Sequence, residues 1–401
     1  MKRYIILLAA VLIQVCVGGL YAWSSFVPAL HASYGLSTAQ TQFIFGGLIA
    51  VFTISMVYAG RLLNRRGPRL VASIGGILFG VGYLVGSFSH GSFSLLLLGI
   101  SLVAGVGTGF CYVCPLVICV KWFPTRKGLV TGIAVAGFGG GAVLLASLAE
   151  VLFSQDWDVL AIFRLVGLFY GAAILAAATV LESPPAIRER TSPIAAPALH
   201  LLWRDRSFWG LALGMFCGTF SGLLVIGNLK PLALSCGIAP GLAATAISLF
   251  ALGNAVGRII WGWVADRLGP WAITSSLALT VAALSLLGLV CAAPTGLLGA
   301  SFLVGFCFGA CFVVYAAQVS SRYGPDGFGS VYPLVFLAYG LSGIVGPWIG
   351  GWLYDATGRY APAIMVSLAV VAIGLGGSSW LLRKTSPKDI ATTLGIEVES
   401  L

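Results

Sequence analysis

A single arginine lies inside an otherwise uncharged apolar segment, and its chemistry suits anion binding. Arg258 lies within residues 242–264, and Asn254 precedes it by one helical turn. A charged side chain near the middle of a bilayer costs roughly 2.5–3.5 kcal/mol, so it generally has a partner or a function. The apolar segments offer no obvious carboxylate partner. A guanidinium matches a carboxylate with two parallel hydrogen bonds, so we predict that Arg258 binds a carboxylate that arrives as a substrate. The alternatives are a side chain that extends toward the membrane surface or one that binds backbone carbonyls.

Several further residues are candidates to surround the bound anion. Asn254 shares a helix face with Arg258 by the i, i+4 relation and could bind substrate, orient the guanidinium or join two helices. Tyr112 offers a hydroxyl to a carboxylate or to a 2-hydroxyl group. Tyr332, Phe336 and Tyr339 recur at i, i+4 and i+7, which predicts an aromatic stripe that either lines a pocket or packs between helices. The predicted substrate-binding set is Arg258, Asn254, Tyr112, Phe336, Tyr332, Tyr339, Tyr21, Asn228 and Phe312.

Catalytic and metal-binding patterns are weak in this chain. Cys111 and Cys114 form a CxxC without a second pair, and the nine cysteines show no disulfide pattern. His31, His90 and His200 lie in or near predicted loops. We therefore predict a protein that is not an enzyme and that needs no metal or cofactor.

The composition identifies the elements that must position these residues. The chain is 59% hydrophobic and 8% charged, with a mean hydropathy of +1.01, which is typical of a polytopic helical membrane protein. The net charge of +10 comes from Lys and Arg in short connections between apolar segments. This placement favours contact with anionic lipid over nucleic acid, and we predict no nucleic-acid partner.

Hydropathy predicts twelve transmembrane helices at about 20 or more apolar residues each. The predicted spans are 4–27, 39–60, 70–89, 93–119, 127–152, 160–181, 207–233, 240–264, 271–291, 295–321, 328–353 and 361–382. They give an N-terminal six-helix bundle (1–181), a polar central linker (182–206), a C-terminal six-helix bundle (207–382) and a tail (383–401). The fold class is an all-α membrane protein.

The positive charges predict the orientation. Most of the 22 Lys and Arg residues fall in segments on the same side as the two termini, so both termini are predicted to be cytoplasmic. This arrangement fits a multi-pass protein of a bacterial inner (plasma) membrane, and we expect a functional monomer. Arg164 and Lys230 fall on the opposite side, where we predict that they anchor helices at the membrane interface. Glu150 is predicted to be solvated at the outer end of span 5.

The two halves of the chain repeat each other. "GRLLNRRGP" at 60–68 recurs 202 residues later as "GWVADRLGP" at 262–270, so the halves are parallel repeats that can rock about a central site. An acidic residue followed by Arg can form an ion pair across the short turn and stabilise one closed state. Asp266 and Arg267 retain this pair, whereas Asn64 precedes Arg65 in the first half. These four residues are the predicted gating motif.

These residues resemble the major facilitator superfamily, whose loop between spans 2 and 3 reads G-x-x-x-D-R-x-G. More narrowly, "WFPTRKGLVTGIAVAGFGGGA" (122–142), "GGLYAWSSFVPAL" (18–30) and "GPWIGGWLYDATG" (346–358) are similar to the monocarboxylate transporter and oxalate/formate antiporter branch. The resemblance extends over the whole chain. The members that this chain resembles include bacterial transporters that move L-lactate with protons. It implies the major facilitator fold, with spans 1, 4, 7 and 10 around a cavity and spans 2, 5, 8 and 11 between the halves. The anion-binding arginine of the family lies on span 8, where Arg258 stands.

Two departures from the family refine the prediction. Animal monocarboxylate transporters carry a Lys and an Asp where this chain has Ser25 and Asn254. Oxalate exchangers carry a second cation near the position of Tyr339. One embedded charge favours a monoanion, because a dianion would leave one carboxylate desolvated and unpaired.

The functional prediction is proton symport of small monocarboxylates, L-lactate or pyruvate, through alternating access. Its partners are the carboxylate, a proton and the lipid bilayer. No Asp, Glu, His or Lys in the apolar core is an evident proton carrier, so the substrate carboxylate itself or Glu150 would take the proton. The alternative is a proton-independent organic anion antiporter. The glycines of span 5 (Gly137, Gly139, Gly140 and Gly141) are predicted to pack against span 8 and to permit rocking.

Overall fold

The protein is helical throughout the parts that the structure, a computed structural model, describes. These parts are residues 2–123, 127–183 and 202–383. Most of the predicted central linker (residues 184–201) and the tail beyond Arg383 lie outside these ranges.

The described residues contain twelve helical spans long and apolar enough to cross a membrane, which confirms the prediction. In the first half they are α1 (Lys2–Ser25), α2 (Thr38–Leu63), α3 (Pro68–Ser87), α4 (Phe93–Cys119), α5 (Ile133–Phe153) and α6 (Val159–Val180). In the second half they are α7 (Arg206–Ser235), α8 (Pro240–Leu268), α9 (Trp271–Val290), α10 (Pro294–Tyr323), α11 (Val331–Thr357) and α12 (Ala361–Leu382).

Local sequence sets where several spans begin and end. The Ser37 hydroxyl accepts from the Gln40 amide while the Gln40 side chain accepts from the Ser37 amide, a capping box that starts α2. Pro68 and Pro240 occupy the first helical position of α3 and α8, where proline needs no hydrogen-bond partner for its nitrogen. Gly358 ends α11 with φ +69°, a conformation that favours glycine.

Three spans depart from a regular α-helix. α1 ends in a 3₁₀ segment, Gly19–Ser25, and a short helix, Val27–Tyr34, follows it. α4 contains the π-helical segment Leu97–Ala104, and α6 contains Val166–Tyr170. The turns of a π-helix are wider than those of an α-helix and often occur at functional positions.

The helical run Pro294–Thr357 contains both α10 and α11. The two spans fold back against each other, because the Tyr332 hydroxyl donates to the Phe312 carbonyl, twenty positions earlier, at 3.3 Å. A straight helix would separate these residues by about 30 Å. The chain therefore reverses direction between Tyr323 and Val331.

The halves meet through α2 against α11 and α5 against α8, as the family resemblance implied. A Cβ atom on Gly46 would lie 2.3 Å from the Gly343 carbonyl oxygen, and one on Gly340 would lie 2.1 Å from the Thr53 hydroxyl oxygen. Glycine at these positions lets α2 and α11 approach backbone to backbone. Ala251 and Ala255 of α8 are the neighbours of Gly139 in α5.

The prediction for the remaining span 5 glycines was wrong. A Cβ on Gly137 or Gly141 would meet the backbone carbonyls of Val11 or Val15 in α1, at 2.9 and 1.9 Å. Gly140 has no neighbour within 4 Å. The helical repeat turns these glycines in different directions, so Gly139 faces α8 whereas Gly137 and Gly141 pack against α1 within the first half.

We expect Gly141→Ala to destabilise the protein and Gly140→Ala to keep its stability or raise it slightly. Both variants gain the same helix propensity, so the difference isolates the contact with the Val15 carbonyl. Overpacking of this kind costs about 1–3 kcal/mol. Thermal unfolding of the purified variants in detergent measures the difference. Equal midpoints would show that α1 can move away from α5 without cost.

Candidate functional site

Arg258 projects from α8 into a cluster of aromatic side chains. Its Nε donates to the Asn254 Oδ1 at 3.2 Å, and its guanidinium carbon lies 4.3 Å from the centre of the Phe312 ring on α10. The i, i+4 pairing of Asn254 with Arg258 is thereby confirmed. A cation over an aromatic face is attracted by the ring quadrupole, so Asn254 and Phe312 together fix the plane of the guanidinium.

No carboxylate neutralises Arg258 within the described residues. The ion pairs formed in those ranges are Lys2–Glu182 and Lys230–Glu150. Arg258 forms its hydrogen bond through Nε, and the terminal nitrogens Nη1 and Nη2 have no hydrogen-bond partner in the described part of the chain. An edge of a guanidinium with free N–H groups is the surface that a carboxylate binds.

Three tyrosines lie within the electrostatic reach of Arg258. The Tyr21 and Tyr339 hydroxyls share a hydrogen bond of 2.9 Å, which joins α1 of the first half to α11 of the second. Tyr332 is the third. The Arg258 charge acts on all three phenol groups. The structure thus brings four of the predicted binding residues into one cluster: Arg258, Tyr21, Tyr332 and Tyr339.

The predicted aromatic stripe on α11 is continuous. The ring centres of Tyr332 and Phe336 lie 5.6 Å apart, and those of Phe336 and Tyr339 lie 5.1 Å apart. Phe312 closes the cluster at 5.4 Å from Tyr339. The stripe therefore covers the side of the cluster that belongs to the second half.

Tyr112 reaches the cluster from α4. Its ring lies 5.0 Å from Phe52 and 5.4 Å from Phe138. Its hydroxyl forms no hydrogen bond to a described residue. A phenol of this kind can donate to an incoming anion.

Three phenylalanines of the cluster were not predicted. Phe52 of α2 contacts Tyr339, and Phe138 of α5 and Phe308 of α10 contact Tyr21, with ring centres 5.3–6.4 Å apart. A phenylalanine within an apolar span has no sequence feature that distinguishes a site residue from a packing residue. The family resemblance, which places spans 2, 5 and 10 near the centre, was the one indication available.

Asn228 does not join this cluster. Its amide nitrogen donates to the Leu224 and Pro347 carbonyls at 2.9 and 3.3 Å, and its oxygen accepts from the Tyr360 hydroxyl at 3.4 Å. The side chain is fully buried, and these bonds join α7 to α11 and the start of α12. Its geometry is that of a contact between helices.

The gating motif does not form the predicted ion pair. Asp266 and Arg267 are both exposed and make no ion pair with each other, and the Arg267 guanidinium lies 3.6 Å from the centre of the Trp263 ring. Adjacent residues project from different sides of a helix, so the guanidinium turns back onto its own helix face. Arg65 is exposed, and the side chain of Asn64 lies outside the described part of the structure.

At the end of the bundle opposite the termini, Glu150 and Lys230 join the halves. The Lys230 Nζ lies 2.6 Å from the Glu150 Oε2, and Lys230 is 6% exposed. We predicted a solvated carboxylate and an interfacial anchor, and both predictions were wrong. The two side chains come from α5 and α7, one in each half, and meet although 80 positions separate them in the sequence.

Two further polar contacts close the same end. The Asp355 carboxylate at the end of α11 accepts from the backbone amides of Thr38 and Ala39 at 3.2 and 2.8 Å. These are first-turn amides of α2, where a negative charge also complements the helix dipole. The Gln42 side chain donates to the Gly227 carbonyl at 2.7 Å. Because the predicted orientation places this end outside, we refer to Glu150–Lys230, Asp355 with α2, and Gln42–Gly227 as the outer closure.

Known proteins resemble this chain in sequence and in fold. The family model described as Major Facilitator Superfamily matches residues 7–332 and 220–398. Monocarboxylate transporter 11 of Homo sapiens is 29% identical over 365 residues, covering 86% of this chain and 76% of that protein. The oxalate:formate antiporter of Oxalobacter formigenes is 27% identical over 274 residues, covering 67% of this chain and 65% of that protein. The crystal structure of a bacterial homologue of the human lysosomal transporter Spinster has the same fold, with a TM-score of 0.77, 16% identity and coverage of 95% and 97%.

Proposed function

The chain belongs to the major facilitator superfamily, and from this premise we propose that it moves small monocarboxylates, such as L-lactate and pyruvate, together with protons by alternating access. The observation that carries the proposal is that the two Arg258 terminal nitrogens, inside the aromatic cluster, have no partner among the residues that the structure describes. A monocarboxylate supplies the two oxygens that such an edge binds.

The charge of the site supports a monoanion. Arg258 is the one cation that the described residues place against the aromatic cluster. One carboxylate neutralises it, whereas a second carboxylate on the same substrate would be buried among apolar rings at a high desolvation cost.

Proton coupling fits a site in which the substrate carries the proton. Asn254 and Ser25 occupy the positions where animal relatives have a titratable Asp and Lys. Burial of the carboxylate in the closed cavity favours its neutral form, and Arg258 favours its charged form. We propose that closure of the cavity around the Arg258–carboxylate pair permits reorientation, and that the proton travels with the substrate.

Uptake of labelled L-lactate into proteoliposomes tests the proposal. Vesicles with no internal anion are compared with and without an inward proton gradient. Accumulation that follows the gradient is the expected result. No uptake of L-lactate or pyruvate under either condition would contradict the substrate assignment.

The second candidate is anion exchange, which the similarity to the oxalate:formate antiporter favours. It requires uptake only into vesicles preloaded with another anion and no response to the proton gradient. The same vesicles distinguish this outcome from symport.

We expect Tyr339→Phe to lose stability and to raise the KM for lactate. The variant leaves the buried Tyr21 hydroxyl without its partner, at a cost of about 1–3 kcal/mol, and removes a donor from the site. The double variant Tyr21→Phe/Tyr339→Phe should regain stability but keep a KM about 10-fold above that of the unmodified protein. Tyr58→Phe, at a residue 65% exposed on the same half as Tyr21, is the control. A double variant with normal KM would remove both hydroxyls from the proposed site.

A further inference from the structure

Two cysteines differ from the other seven in their exposure and position. Cys236 and Cys291 are half-buried, whereas the remaining seven cysteines are buried. Cys236 directly follows the last residue of α7, and Cys291 directly follows the last residue of α9. Both residues therefore lie beyond the apolar spans, at the end of the bundle that carries the outer closure.

The two thiols meet in space although 54 residues separate them in the sequence. The Cys236 and Cys291 side chains are near enough for each to affect the ionisation of the other. Both line a cavity of about 570 Å³ between the ends of α7 and α9 and the start of α12. A disulfide needs α-carbons roughly 4.4–6.8 Å apart. Two thiols that line the same cavity can approach each other by side-chain rotation, and the cavity gives a reagent access to them.

We propose that Cys236 and Cys291 form a disulfide on the outer side of the membrane. The proposal uses the predicted orientation, with both termini in the cytoplasm, and is otherwise independent of the transported substrate. The compartment outside a bacterial inner membrane is oxidising, so an accessible thiol pair there is converted to a disulfide. The odd number of cysteines is then explained as one pair and seven buried thiols.

The bond forms by thiol–disulfide exchange with an oxidant of the outer compartment that itself carries a disulfide. Either thiol can attack the oxidant first, and attack by Cys291 proceeds as follows. The Cys291 sulfur, as thiolate, forms a mixed disulfide and expels one oxidant thiolate. Cys236 then gives up its proton, attacks Cys291 and expels the second sulfur. The protein loses two hydrogens, and the oxidant becomes a dithiol.

The bond would hold the end of α7 against α9 within the second half. Lys230 of the outer closure lies six residues before Cys236, so the tether fixes the position of its helix end. Because both cysteines belong to the same half, the bond does not prevent the halves from rocking.

Two-step alkylation of the full-length protein tests the proposal without depending on access in the folded state. Membranes from cells with an oxidising outer compartment are denatured in light N-ethylmaleimide, reduced, and treated with heavy N-ethylmaleimide. Peptide mass spectrometry should find the heavy label on Cys236 and Cys291 and the light label on the other seven cysteines. Light label on both Cys236 and Cys291 would overturn the disulfide.

Single variants provide the matched controls. In Cys291→Ser, Cys236 should carry the light label, and a reductant should no longer lower the melting temperature. Cys217→Ser, at a buried position of the same helix, should keep the heavy label on the pair. A membrane-impermeant maleimide should modify Cys236 of Cys291→Ser in intact cells. Modification only in everted vesicles would contradict the outer location, and neither result depends on whether lactate is transported.

Discussion

Lactate uptake is expected to fall by about 150-fold to 5000-fold in Arg258→Ala, because the substrate carboxylate would be buried without a partner at a cost of roughly 3–5 kcal/mol. The loss should appear in kcat/KM, since the unpaired anion disfavours both binding and closure. Uptake into proteoliposomes at matched protein density measures it.

The conservative variant gives the sharper test of the bidentate geometry. Arg258→Lys keeps the charge but loses the planar fork that Asn254 and Phe312 orient. Losing one charge-assisted hydrogen bond reduces uptake by about 10-fold or more. The control is Arg164→Ala, which removes an exposed guanidinium 4.6 Å from the Phe88 ring and should leave uptake unchanged. Normal uptake by Arg258→Lys would show that a point charge suffices and that the carboxylate is not held by two bonds.

The second large effect is expected at the outer closure. Lys230→Met leaves the Glu150 carboxylate without its partner across the interface. Because Glu150 retains 29% side-chain exposure, we expect a cost of about 1–3 kcal/mol, below the range for a fully buried pair. That amount changes the ratio of closed to open outer states by roughly 5–150-fold. The protein should then spend more time with this end open.

Spin labels at Gln155 and Ala239, exposed positions on the two halves, measure this change as a longer distance between them. The swapped double variant Glu150→Lys/Lys230→Glu should restore the shorter distance. Glu182→Gln removes an ion pair that lies within the first half and should leave the distance unaltered. An unchanged distance in Lys230→Met would assign closure to Asp355 and Gln42 alone.

The fold could be predicted from the sequence because each helical span is specified by residues close together in the chain. Apolar segments of membrane length specify the twelve spans, and the i, i+4 relation placed Asn254 beside Arg258. The same relation produced the continuous stripe of Tyr332, Phe336 and Tyr339. These features depend on hydropathy and helical geometry, which neighbouring residues fix.

The errors share a cause. Glu150 and Lys230 lie 80 residues apart, and each alone has the sequence context of a solvated charge. The sequence made Asn228 a candidate substrate-binding residue, whereas in the structure its side-chain amide bonds to α11 and to Tyr360. Gly137 and Gly141 face α1 because of the rotation of α5 about its axis, which composition does not encode.

The sequence by itself determined the membrane fold, the repeated halves and the buried cation at the centre of the proposed function. Only the tertiary structure decided which aromatic rings surround that cation, which charges join the halves, and which two cysteines meet. Helix formation is governed by residues within a few positions of each other, so it can be inferred along the chain. Partners across an interface are set by the packing and rotation of whole helices, and no local pattern contains that information.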